Sequence, residues 1–62
     1  MQASSRLREE RKRSRLTQEE LSRISGVGRV TIARLETGVS KARPETTRKL
    51  ARALKVEPED LS

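Results

Sequence analysis

Cysteine, histidine and all three aromatic residues are absent from this 62-residue chain. Without cysteine there is no disulfide, and without cysteine or histidine the usual zinc sites are excluded. No phosphate-binding glycine loop occurs either. The adjacent acidic pairs Glu9–Glu10 and Glu19–Glu20 diverge on a helix, so they read as capping and surface charge. The sequence therefore predicts no enzyme activity and no metal or other cofactor. No apolar run is long enough to cross a membrane, and no signal peptide is visible, which predicts a soluble, cytoplasmic protein. Lacking aromatics, the core must come from Leu, Ile, Val and Ala. At 31% apolar residues that core is thin. Proline and glycine are few, two and three, so composition does not impose disorder, although 39% charged residues pull in that direction.

What is abundant is positive charge. Fifteen Lys and Arg against nine Asp and Glu give a net charge of +6. A small basic domain attracts polyanions, and nucleic acid is the first candidate. A solvated basic surface without a partner fits the charge equally well. An anionic membrane fits less well, because no aromatic anchor or long apolar stretch is present. The length suits one domain, residues 1–62, with no visible repeat or low-complexity segment.

Thr17 to Gly38, TQEELSRISGVGRVTIARLETG, organises the rest. Thr17 and Glu20 have the spacing of a capping box, which starts a helix. Leu21 and Ile24 are three apart, so both are expected on its inner face. Ser22 and Gly26 are small and four apart, which predicts close approach of a neighbouring helix. Gly26 suits the left-handed residue that ends a helix. Val27 is expected under the turn, and Gly28 at the opening of a second helix, Arg29 to Thr37, stopped by Gly38. At 100° per residue Ile32 and Leu35 share one side of that helix. Arg29, Val30, Ala33, Arg34 and Thr37 fall within an arc of about 140° on the other. An apolar inner face and a basic, shallow outer face are what reading a DNA major groove requires.

The series T-Q-E-E-L, G-V and T-I-A-R-L-E-T-G resembles the lambda-repressor-like, Cro-type helix-turn-helix family, also called the xenobiotic-response-element family. The resemblance runs from Leu7 to Leu61. It implies an all-α fold of five short helices around the helix-turn-helix core 17–38. By the same resemblance an arginine at position 11 pairs with Glu36, partly buried, and fixes the first helix against the third; two unpaired solvated charges are the alternative.

The remaining chain fits that outline. Residues 1–5 read as an arm or a helix lead-in with Ser4 or Ser5 as cap. Leu7 is the only apolar residue in RLREERKR, so that helix would dock through Leu7 and the stem of Arg11. Arg15 stands where the family often has glycine, so either a left-handed arginine or another turn form is required. Leu16 should enter the core. Pro44 suits the first position of a fourth helix reaching about Lys55, with Thr47, Leu50, Ala51 and Leu54 inward. Ala42 and Arg43 replace the family's common Pro-Ser pair, which removes a capping serine, and Thr47 replaces a usual leucine. Pro58 would open a short last helix, with Val56 and Leu61 closing the core.

The candidate base contacts are Arg29, Val30, Ala33 and Arg34. The guanidinium of Arg34 fits guanine O6 and N7, and the methyls of Val30 and Ala33 fit a thymine methyl. Arg29 could reach a base or a phosphate. The candidate phosphate contacts are Thr17, Gln18, Gly28, Thr37, Lys41 and Arg43. Gln18 is placed at a helix start, where amide and backbone N–H groups favour an anion. The resemblance also makes a glutamine there a backbone contact. The expected function is a sequence-specific regulator of double-stranded DNA in a bacterium or phage, a repressor acting as a homodimer. No small-molecule ligand or membrane partner is expected. An antitoxin or restriction-system controller, and a protein-bridging module for a transcription-machinery subunit, are the alternatives.

Overall fold

The computed structural model describes residues 5–61. The expected arm over residues 1–5 and its cap at Ser4 or Ser5 lie outside that description, apart from the backbone of Ser5. Among the described residues four α-helices follow in order: α1 Ser5–Arg13, α2 Gln18–Ser25, α3 Arg29–Thr37 and α4 Pro44–Leu54. A single turn of 3-10 helix, Pro58–Leu61, follows α4. No strand occurs among the described residues. The expected fifth helix is thus corrected to a 3-10 turn. Asp60 N–H bonds back three residues to Glu57 O at 2.9 Å, and Asp60 Oδ2 accepts from Glu57 N–H at 3.0 Å. The three-residue bond from Asp60, held by the side-chain bond back to Glu57 N–H, is the 3-10 pattern and not the four-residue step of an α-helix.

The helices enclose Leu7, Leu21, Val27, Ile32, Leu35, Leu50 and Leu54, with Leu16, Ala53, Val56 and Leu61 packed around them. α2 packs on both α3 and α4, α1 packs on α3, and the final turn bridges α4 and α1. Leu21, Ile32 and Leu50 are the largest fully buried side chains, one each from α2, α3 and α4. Each buried aliphatic side chain contributes roughly 1.5–3 kcal/mol before the entropy of ordering is subtracted.

Ile24 departs from expectation. It is 59% exposed, whereas Leu21 on the preceding turn is fully buried. α2 has only eight residues and ends at Ser25, one residue past Ile24, and Val27 fills the space beneath the turn instead. Gly26 needs a second correction. A side chain added there would meet nothing within 4 Å, so close helix approach is not its role. Its backbone lies at φ 79°, ψ 7°, the left-handed region that glycine enters without a Cβ clash.

Three helices end in the same paired hydrogen-bond motif. At α3, Gly38 (φ 80°) and Val39 donate to Leu35 O and Arg34 O. At α1, Arg15 and Leu16 donate to Lys12 O and Arg11 O, and Arg15 is the left-handed residue at φ 60°. At α4, Lys55 and Val56 donate to Arg52 O and Ala51 O, with Lys55 at φ 60°. A side chain in that conformation costs roughly 1 kcal/mol relative to glycine. α4 also starts without a side-chain cap. Its N-cap is Arg43, which has no acceptor to offer, and Pro44 supplies only the preset φ.

Candidate nucleic-acid interface

Two helix starts and one helix face build the surface. At the start of α2, Thr17 Oγ1 accepts from Glu20 N–H at 3.0 Å, and Glu20 Oε1 accepts from Thr17 N–H at 2.8 Å. The backbone and hydroxyl of Thr17, ahead of the nearby Arg23 charge, hold the Glu20 carboxyl below its ordinary pKa. This reciprocal cap fixes where α2 begins. Gln18 therefore becomes its first residue, with the positive end of the helix dipole beside it.

α3 is two-faced. Ile32 is fully buried and Leu35 nearly so, while Val30 is 63% exposed. Arg29, Arg34 and Thr37 are exposed and Ala33 is half-buried. Among the described residues neither Arg29 nor Arg34 makes an ion pair, so both guanidinium groups keep their donors. Thr37 Oγ1 is turned back on its own helix, donating to Ala33 O and Arg34 O at 3.1 Å each. A phosphate taking that hydrogen must displace a helix carbonyl. Gly28 caps α3 without a side chain and is exposed. Lys41 and Arg43 are exposed on the connection that follows α3.

Beneath this surface lies Glu36, only 3% exposed at the last turn of α3. Arg11 donates to both of its oxygens, Nε to Oε2 at 2.6 Å and Nη2 to Oε1 at 3.0 Å. Arg11 Nη1 donates to Leu16 O at 2.8 Å, so one guanidinium ties α1, the turn before α2, and α3. The forked geometry suits arginine and not lysine. Gln18 Nε2 also donates to Glu36 Oε1, at 3.0 Å. Burial pushes the Glu36 carboxyl pKa up, but hydrogen bonds from Arg11 and Gln18 and the charges of Arg11 and Arg8 outweigh burial, leaving it below the ordinary value. The hydrogen bond to Glu36 raises the pKa of Arg11 in turn.

The Gln18–Glu36 bond was not visible in the sequence. One amide hydrogen of Gln18 is spent on the protein, leaving the other and the carbonyl oxygen. Arg8, which no motif singles out, also approaches this group, with its Nε 3.8 Å from Glu36 Oε1. The signal was present: Arg8 and Arg11 are three apart and so share one side of α1.

Comparison with known proteins agrees with this arrangement. The helix-turn-helix family matches residues 7–61. The crystal structure of the restriction-modification controller protein C.AhdI from Aeromonas hydrophila superposes with a TM-score of 0.90 at 37% sequence identity, covering 97% of this chain and 91% of that one. Comparison with curated proteins finds no match. With a capped α2, a glycine turn, a two-faced α3 and a family match over nearly its whole length, the chain belongs to the lambda-repressor-like, Cro-type helix-turn-helix family of DNA-binding transcriptional regulators.

Proposed function

We propose that this domain is a sequence-specific repressor that binds double-stranded DNA as a homodimer, with α3 in the major groove. The sidedness of α3 carries the reading: Ile32 and Leu35 are packed inward while Arg29, Val30 and Arg34 stand in solvent. In this reading Arg34 reads a guanine, and Val30 and Ala33 contact thymine methyls. Arg29 reaches a base or a phosphate at the helix start. Thr17, Gln18, Gly28, Thr37, Lys41 and Arg43 hold the sugar-phosphate backbone on either side. One such domain spans few base pairs, so two copies would read half-sites about one helical turn, roughly 10 bp, apart. The surface around Val39, which is 71% exposed, together with Val56 and Leu61, is the proposed dimer contact. The protein would act in the cytoplasm of a bacterium or during phage growth, at the nucleoid.

Selection of duplexes from a random library at fixed salt tests this reading. The expected result is one recovered sequence bound at least ~10³-fold more tightly than unrelated DNA. Equal affinity for all sequences would leave only non-specific polyanion binding.

A controller of a restriction-modification system is the second reading, favoured by the likeness to C.AhdI. An endonuclease gene beside this one would support it. A protein-bridging role instead predicts that the main interaction survives Arg34→Ala.

Arg43 separates stability from binding. Arg43→Ser gives α4 the cap that it lacks and should stabilise the domain by about 1 kcal/mol. If Arg43 holds a phosphate, the same change weakens DNA binding uniformly and lowers the salt dependence. Thermal melts and binding titrations on the one variant report both effects.

A further inference from the structure

We propose that Arg8 is a DNA-phosphate contact, held beside Gln18 by the buried carboxylate of Glu36. This rests on the DNA-binding reading above and extends it to α1. Gln18 Nε2 and Arg8 Nε address the same oxygen, Glu36 Oε1, at 3.0 and 3.8 Å. Two donors that converge on one oxygen are neighbours, so α1 brings a guanidinium next to the first residue of α2. The two differ in what they have left to give. At 3.8 Å Arg8 is attracted to Glu36 by charge but is beyond hydrogen-bond length, so its donors are not consumed there. Its side chain is 49% exposed, against 13% for Arg11 and 0% for Glu36. Arg11 already neutralises Glu36 through two short bonds.

Arg8 is therefore surplus to the buried pair, and its charge faces solvent at the edge of the site. The carboxylate restrains the guanidinium without using it. This is how a long, flexible side chain is oriented ahead of binding, so that less freedom is lost when a phosphate arrives. A backbone phosphate presents two non-bridging oxygens that share one negative charge. The Gln18 amide and the Arg8 guanidinium offer donors of the kind that grip such a pair, with the backbone N–H groups of the α2 start alongside. The contact carries no base information, so it adds affinity on every sequence.

The test uses the full chain and two duplexes about two helical turns long, roughly 20 bp: the sequence recovered by selection and a scrambled version. Binding is titrated over a series of salt concentrations for the wild type, Arg8→Ala, Arg8→Lys and Arg34→Ala. For Arg8→Ala the expected result is a fall in affinity by the same factor on both duplexes. The slope of log K against log salt should become shallower by about 0.9 for each bound copy, and so by about 1.8 for a dimer on both half-sites. Arg8→Lys keeps the charge and should restore the slope. Melting of the free proteins should be nearly the same for wild type and Arg8→Ala, because the pair that Arg8 leaves behind is complete. An unchanged slope in Arg8→Ala overturns the proposal, as does a loss of affinity accompanied by a large drop in melting temperature. If the wild type binds neither duplex, or does not distinguish them, the DNA-reading proposal itself fails. Arg34→Ala separates these cases, because it should narrow the gap between the duplexes whether or not Arg8 touches DNA.

Discussion

Glu36→Ala is expected to destabilise the domain by about 3–5 kcal/mol, the cost of removing one partner from a buried ion pair. The reason lies in what is left behind. Arg11 stays largely buried with Nε and Nη2 facing a gap, and Gln18 loses its acceptor. A domain of 62 residues has roughly 3–9 kcal/mol of stability in total, so this one change should leave a substantial unfolded fraction at room temperature. The double replacement Arg11→Met with Glu36→Leu should recover most of the loss, because an apolar pair of similar volume needs no desolvation of charge. Urea unfolding of the three proteins measures both effects. A Glu36→Ala midpoint close to wild type would mean that the pair contributes little.

Acid should expose the same interaction. The folded pKa of Glu36 lies below its ordinary value of 4.5, because the donors from Arg11 and Gln18 and the nearby Arg8 outweigh burial. A depressed carboxylate contributes stability that is fully present above its unfolded pKa and is lost as pH falls through the folded one. The wild type should therefore weaken below about pH 4.5, and the double variant should lack that part of the slope. The exposed Arg13–Glu10 contact, at 3.6 Å on α1, should add little to either.

Arg34→Ala should cost ~1–3 kcal/mol on the preferred duplex, and that cost should vanish when one particular base pair is changed. Arg34 sits mid-helix on the exposed side of α3, with the small residue Ala33 beside it and Val30 one turn earlier. That leaves room for a planar guanidinium to reach the floor of a groove. Its removal should not affect folding, since the side chain is exposed and forms no ion pair among the described residues. Titrations against duplexes carrying each single substitution measure the effect. A loss that is equal on all of them would make Arg34 a phosphate contact and remove it from the set of base readers.

Several elements were legible because local chemistry decides them. The Thr17–Glu20 capping box, the left-handed Gly26 and Gly38, and the inward Ile32 and Leu35 each follow from residue type and spacing. Residue type at Arg15 admits two turn forms, and the structure places it left-handed. Ile24 misled because periodicity assigns a side but not what covers it. The chain turns away at Gly26 before anything packs over that side chain. Proline suits the first position of either helix type, so Pro58 alone does not separate an α-helical turn from the observed 3-10 turn. The difference lies in the bond from Asp60 N–H to Glu57 O three residues back, which spacing alone does not specify. The Gln18–Glu36 bond joins residues 18 apart in sequence, and only the packing of α2 on α3 brings them together.

Where Glu36 sits along α3 has a mechanical consequence. Three donors grip the helix at its last turn, and the bonds from Gly38 and Val39 close that end. The first turn has only the bare backbone of Gly28 as a cap. Packing does there what polar bonds do at the other end: the buried Val27 and Ile32 hold the start of α3 against the core. If α3 reads DNA as proposed, the helix would meet the duplex as a rod held at both ends, and adjustment to groove shape would fall to the exposed side chains of Arg29 and Val30 and to the duplex itself.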